Sequence, residues 1–455
     1  MNRFSSAFKF FMYTDIQELI NRYLFRIRLK IGSAMNSRER VQLAVNHQEP
    51  DRVPLDLGAS PTTGMQASSV YLLRQALKLD SPGTPVKVIE PYQMLGEIQP
   101  DLMDALGVDA VALGRQKTMF GFRNETWKPW TLFDDTPVLV PEAFNTRPEA
   151  DGSIFMYPEG DLSAPPSGRM PKDGFYFDCL PRPALPDDYE LDIEENLEEF
   201  QLLSKEELDH FGREAERLFT QTDKAILAHF GGTAFGDISQ VSAPWMKKPR
   251  GIRNLEDWFM STVSRREYVL KVFERQCEIG LENFVRLHKV VGNRVTAVFM
   301  SGTDFGTQTG SFVSIRTYRE MYQPFQKRLN DWVHQNTTWK CFIHSCGSIV
   351  ALMPDLIEAG FDIFNPVQTS AAGMDPQTLK ERFGDKVTFW GGGVDTQQTL
   401  PFGTPKEIRT QVRERIRVFG KGGGFVFNPS HNIQAKIPVE NLLALFQAVK
   451  DFNKY

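Results

Sequence analysis

Eight short, nearly continuous apolar runs divide the chain into repeating units. Each ends in glycine or a polar residue before a longer stretch begins. The runs are RVPLDLG (52–58), DAVALG (109–114), AILAHFGG (225–232), TAVFMSGTD (296–304), CFIHSCG (341–347), FDIFNPVQ (361–368), VTFWGGGVD (387–395) and GFVFNPSH (424–431). Runs with so little polar alternation suit parallel strands buried on both faces. The spacers carry helical patterns. TYREMYQPFQKRLNDWVHQ places apolar residues at steps of three and four, with Pro324 starting or kinking a helix, and PVENLLALFQAVKDF forms a last helix. Eight strands alternating with helices predict an α/β fold, a (β/α)8 TIM barrel. The alternative, a doubly wound open sheet, normally carries a glycine-rich phosphate turn after an early strand. Here the first run leads into GASPTTGM, and the glycine clusters at 391–393 and 422–424 lack the residues of a nucleotide loop.

Residues 115 to about 200 break the rhythm. They are rich in Pro, Gly, Asp and aromatics and read as an insertion after the second strand, with some β-hairpin. Trp127, Trp130 and Phe133 within it suit a small local core, or a lid. Residues 1–34 are aromatic and basic without the compact apolar core of a signal peptide. They read as an extension ahead of a natural beginning at Met35, or as an amphipathic helix for a partner or lipid surface. Residues 35–455 then form the barrel.

Composition narrows the function. Of 455 residues, 41% are hydrophobic and 24% charged, enough for a large core. A net charge of −5 gives no basic footprint for nucleic acid. No apolar run reaches the ~20 residues of a membrane span. Four cysteines in so long a chain form no disulfide framework, which points to a reducing, cytoplasmic setting.

In such barrels chemistry sits at the C-terminal ends of the strands. The polar residues there are Asp56 from the first run, His229 from the third, and Asp304 after the fourth, with Gln308 four residues on. His344 and Cys346 end the fifth run, Asn365 and Gln368 the sixth, Asp395 follows the seventh, and His431 ends the eighth. Residues two apart in a strand face the same way, so His344 and Cys346 point together to the barrel mouth, with Ser345 turned outward. Imidazole and thiolate together favour zinc. His431 at the same rim makes a third donor, and three donors with an open fourth position are the pattern of a catalytic zinc. Two satisfied core residues are the plainer account of the pair, and Cys341 reads as core.

The remaining residues carry paired readings. Asp304 can orient substrate, carry a proton or support a metal-bound histidine, or simply cap the next helix. Asp395 is a pocket residue or a cap. His229 lines the pocket or is a hydrogen-bonded core histidine. Asn365, Gln368 and Gln308 offer neutral hydrogen bonds to a ligand.

Several motifs together resemble the uroporphyrinogen decarboxylase superfamily, within it most nearly the zinc- and corrinoid-dependent methyltransferases. They are RERVQLAVNHQEPDRVPLDLG, PDLMDALGVDAVALG, IHSCGSIVALMPDLIEAGFDIFNPVQ, FWGGGVDTQQTLPFGTPKEIRTQV and GGFVFNPSHNIQAKIPVENLLALFQAVKDF. The resemblance runs from about Met35 to the C-terminus and implies a TIM barrel. It implies zinc on His344 and Cys346. Where the methylcobalamin:thiol methyltransferases place a cysteine near the last strand, this chain has His431. One thiolate leaves zinc more positive than two would, which favours a methyl ether or methylamine donor over a thiol acceptor.

The resemblance also implies a corrinoid. No DxHxxG-like corrinoid motif occurs here, so the corrinoid would be supplied by a partner protein. The decarboxylase branch implies arginines in an early loop, yet GASPTTGM has none. The expected function is therefore zinc-dependent methyl transfer between a small methylated substrate, or an acceptor, and a corrinoid. A metal-free lyase using Asp304 or Asp395 on a carboxylic acid, and a non-catalytic ligand- or corrinoid-protein-binding barrel, are the alternatives.

Overall fold

The computed structural model describes residues 35–186 and 188–454. The 1–34 extension lies outside the described residues. Seven parallel strands form one curled sheet. Their order follows the chain: Ala110–Leu113, Ala225–Ala228, Ala297–Ser301, Lys340–His344, Ile363–Asn365, Thr388–Trp390 and Phe425–Val426. Each coincides with one of the apolar runs, and helices follow most of them.

The first run completes the circle without becoming a ladder strand. Leu55 makes a single parallel bridge with Phe427. On that side Phe427 N–H donates to Pro54 O at 2.8 Å and Asp56 N–H to Phe427 O at 2.9 Å. On the other side Asp109 N–H donates to Leu55 O at 2.7 Å. Pro54 has no N–H to give, and the Leu55 N–H goes to the Asp109 carboxylate at 2.9 Å instead of a backbone carbonyl. The run thus lies between the two edge strands and bonds to both, giving the TIM-barrel-like α/β fold expected.

The Asp109 carboxylate also binds Arg40 Nη1 at 2.7 Å and Arg52 Nη1 at 2.7 Å. Arg40 stands on the helix Ser37–Val45, started by a capping box at Asn36 and Glu39. Val41, Ala44 and Val45 of this helix share a core with the barrel interior. There Ala110, Ala225 and Ala297 face the bulk of Phe342 and Trp390, so small and large side chains fill the bore. A larger core lies between the sheet and the outer helices. Pro324 ends one helix and opens the next: Ile315–Met321 stops at Tyr322, and Gln323–Asn336 begins with proline in its first turn.

The segment after the second strand holds more β-structure than a hairpin. Thr146–Pro148, Ile154–Met156, Gly168–Met170 and Asp178–Cys179 form an antiparallel sheet. A second sheet pairs Trp127–Thr131 and Pro137–Pro141 with Val86–Glu90 and Leu95–Gly96, which precede the second barrel strand. Trp130 packs against Phe144, centroids 5.3 Å apart, and Phe144 against Phe177 at 6.0 Å, so these aromatics build a local core. Among the described residues no helix is long and apolar enough to cross a membrane.

Candidate metal centre and reaction cavity

The strand Lys340–His344 ends at His344, and Cys346 sits in the turn that follows. Ser345, between them, is buried, and its Oγ accepts the Phe305 N–H at 2.9 Å. That contact ties this turn to the loop after the preceding strand. Cys346 Sγ lies 3.4 Å from His344 Nε2. The His431 ring stands across His344, centroids 5.3 Å apart and planes at 70°. One donor atom from each of His344, Cys346 and His431 lies within 4.8 Å of the others.

A neighbouring strand fixes the orientation of His344. Asn365 lies opposite it in the parallel register. Asn365 Nδ2 donates to Trp390 O at 2.7 Å, which leaves Oδ1 as acceptor. His344 Nδ1 lies 2.6 Å from that oxygen. The proton therefore belongs on Nδ1, and the Nε2 lone pair faces Cys346. Supporting a ligating histidine through its other nitrogen is how metal sites orient imidazole. Thr62, from the GASPTTG loop, donates to the same Asn365 oxygen at 3.2 Å.

Electrostatics keep all three groups neutral when no cation is bound. Burial pushes the His344 pKa down to about 4, against the Asn365 hydrogen bond. Burial and then the His344 charge push His431 to about 3, with Asp304 opposing. Burial raises the Cys346 thiol well above its ordinary range, and the charge of Asp304 adds to this. Neutral imidazoles at pH 7 have lone pairs free for a metal, and a cation would stabilise the thiolate that burial disfavours.

Asp304 does not cap a helix. Its Oδ1 accepts the Cys346 N–H at 2.6 Å, and burial raises its carboxyl pKa. Gln368 Oε1 accepts the next N–H, from Gly347, at 2.8 Å. Gly347 has φ of +80°, and a Cβ there would come within 2.5 Å of the Gly306 carbonyl carbon. Two backbones cross here without room for a side chain.

Above the three donors opens a cavity of about 470 Å3, lined by Cys346 and His431. Gln308, Gln368, Gln397, Asn432 and Gln434 supply amides to its wall, and among the described residues Asp395 is the one charged side chain and no arginine or lysine lines it. Asp395 is engaged at the rim, its Oδ1 accepting the N–H groups of Gln397 at 2.7 Å and Gln398 at 3.3 Å.

Asp56 and His229 do not line this cavity. Asp56 is fully buried and accepts Trp390 Nε1–H at 2.7 Å; burial raises its carboxyl to about 6. His229 packs on Phe299 with centroids 4.5 Å apart, and burial lowers it to about 3. Asn365 acts on His344 rather than on the cavity. Thr62, Asn432, Gln434 and Gln397 were not singled out in the sequence. For Asn432 and Gln434 the signal was their place beside His431 in NPSHNIQ. A second cluster, His334, Cys341 and Asp362, lies at the opposite end of the fifth strand. There His334 pairs with Asp362 at 2.8 Å, and Cys341 is fully buried as core.

Residues 243–452 match the family described as uroporphyrinogen decarboxylase (URO-D). The matched span holds all three donors, and the resemblance to the URO-D superfamily stands. Among curated relatives, the uroporphyrinogen decarboxylase of Coxiella burnetii (strain Dugway 5J108-111) is 32% identical over 87 residues, covering 18% of this chain and 23% of that protein. That of Psychromonas ingrahamii is 34% identical over 80 residues, covering 18% and 22%. The chain thus spans under a quarter of the length of these relatives. A solved methyltransferase from Methanosarcina mazei superposes with a TM-score of 0.51 at 14% identity, covering 92% of this chain and 99% of that one. At that identity the likeness shows the fold.

Proposed function

We propose that this URO-D relative is a zinc-dependent methyltransferase. It would move a methyl group between a small methylated ether or amine, or an acceptor, and a corrinoid carried by a partner protein. The observation that carries the reading is that two imidazoles and one thiol bring one donor atom each within 4.8 Å of the others, with Cys346 and His431 lining the cavity. This donor set fits zinc: nitrogen and sulfur ligands, His344 held by Asn365 in the tautomer that frees Nε2, and a cavity where a fourth ligand can enter. When bound, zinc supplies Lewis acidity towards the heteroatom that carries or accepts the methyl group. The name of the Methanosarcina mazei neighbour agrees with this reaction class.

The chain's own residues bind and orient. The amides of Gln308, Gln368 and Asn432 offer neutral hydrogen bonds to the part of a ligand that reaches this cavity. Asp304, its carboxyl pKa raised by burial, is placed to hold a proton beside Cys346 while fixing that residue's backbone. Asp395 supplies negative charge at the rim. The open mouth is where the partner's corrinoid would approach.

The names of the curated relatives suggest decarboxylation of a porphyrinogen. A ligand with several carboxylates needs cationic partners, and among the described residues the wall of the cavity over Cys346 and His431 has none. The test is methyl transfer from methyl ethers and methylamines to cob(I)alamin, followed by its absorbance, with wild type and Cys346→Ala. Transfer that needs both the corrinoid and Cys346 supports the reading. Transfer that survives metal removal, or carbon dioxide release from uroporphyrinogen, contradicts it.

A further inference from the structure

A second cavity, of about 500 Å3, adjoins the first. Tyr92, Gln93, Phe175, Tyr176, Gln434 and Lys436 form its walls, and Gln434 lines both cavities. Asn432 of the first cavity donates through Nδ2 to Gln93 Oε1 of the second at 2.7 Å. Its walls are held in place. Ser69 Oγ donates to Gln434 O at 2.6 Å, and Phe177 N–H donates to Tyr92 O at 2.8 Å. The second of these bonds fastens the insertion to the turn between Val86–Glu90 and Leu95–Gly96. Two non-glycine residues at its edge, Met94 with φ of +52° and Lys436 with φ of +61°, adopt the left-handed backbone that side chains disfavour. Strain of this kind persists where the surrounding structure enforces it and clusters at ligand sites.

The wall chemistry is selective. Three aromatic side chains, Tyr92, Phe175 and Tyr176, offer flat apolar contact. Lys436 Nζ lies 4.8 Å from the Phe175 ring centroid and, among the described residues, pairs with no carboxylate. Glu90, in the adjacent strand, is turned to the N–H groups of Tyr92 at 3.0 Å and Gln93 at 2.8 Å. A cation above an aromatic wall, with its nearby carboxylate engaged elsewhere, is complementary to a planar anion.

We propose that this cavity is a subsite of the reaction cavity that binds an aromatic ring bearing a carboxylate, with the ring against Phe175 and Tyr176 and the carboxylate on Lys436. Joined to the function above, on which this step rests, it makes the substrate an aryl acid whose methylated heteroatom extends past Gln434 towards Cys346. The insertion after the second strand then supplies selectivity, through Phe175 and Tyr176.

The experiment is calorimetric titration of the full chain with benzoate and with benzyl alcohol, in parallel with its zinc content. Benzoate should bind wild type at least ~10-fold more tightly than benzyl alcohol, as one charge-assisted contact provides. Lys436→Met should weaken benzoate about tenfold and leave benzyl alcohol unchanged, and Lys436→Arg should restore benzoate to within about threefold. Phe175→Ala should weaken both ligands. His344→Ala should lose zinc and keep benzoate. No saturable benzoate binding, an affinity indifferent to Lys436→Met, or benzoate binding lost with the metal would each overturn the subsite. Zinc-free wild type that still binds benzoate through Lys436 would leave the subsite standing and remove the metal function.

Discussion

His344 Nδ1 and Asn365 Oδ1 lie 2.6 Å apart across two adjacent parallel strands, and that contact decides which histidine nitrogen faces Cys346. Asn365→Ala should leave the three donors in place and release the ring. We expect zinc affinity to fall roughly 10- to 100-fold, the usual effect of removing such a partner. Competition with a chromophoric chelator measures it. An unchanged affinity would mean that packing alone orients His344.

Gly347→Ala should act on the same turn from the other side. A Cβ there meets the backbone of Gly306 and Thr307 at 2.5–2.6 Å, and the position has φ of +80°. Relieving the clash must shift Cys346 or the Gly306 loop. We expect a loss of about 1–3 kcal/mol by urea denaturation, with weaker zinc binding. Wild-type stability and affinity in the variant would show that the two loops move apart freely.

Asp109 should matter to the barrel as a whole. It satisfies Arg40, Arg52 and the Leu55 N–H, which close the circle between the first and second runs. Asp109→Ala leaves Arg40 without one of its two carboxylates and Leu55 N–H without an acceptor. The expected cost is about 3 kcal/mol, the low end for breaking a buried pair because Arg52 is partly exposed. Denaturant midpoints at neutral pH test this.

His229 gives a pH prediction with a definite sign. Burial lowers its folded pKa from 6.5 to about 3. Between those values the unfolded chain binds the extra proton, so this contribution is fully present above pH 6.5 and is lost as pH falls towards 3. At pH 5 the loss is about 2 kcal/mol. Asp56, raised to about 6, acts in the opposite direction, so the comparison must be between chains. His229→Gln, measured against wild type, should gain about 2 kcal/mol in relative stability between pH 7.5 and pH 5. No change would mean that the histidine titrates normally.

Much of this was legible in the chain. Continuous apolar runs marked seven strands and the closing segment, because strands buried on both faces have no polar alternation to hide them. Period-two spacing put the His344 and Cys346 side chains side by side, Nε2 3.4 Å from Sγ. Asn365 was legible as a strand-end residue but not as the partner of His344, since that depends on register between strands 21 residues apart. Asp56 shows the limit of reading strand ends: it is fully buried and accepts the Trp390 Nε1–H, while His229, half-buried, packs on Phe299. The strand Val86–Glu90 went unread because its partner, Pro137–Pro141, lies in the insertion. Nor does spacing reveal that Phe175 and Lys436, some 260 residues apart, wall one cavity.

The proposed function requires that His344, Cys346 and His431 hold one metal. Elemental analysis of purified wild type beside His344→Ala, Cys346→Ala and His431→Ala tests it most directly. The prediction is about one zinc per wild-type chain, as a single site of three protein donors with an open fourth position implies, with the metal lost in all three variants. Zinc absent from wild type, or retained by His431→Ala, would contradict it.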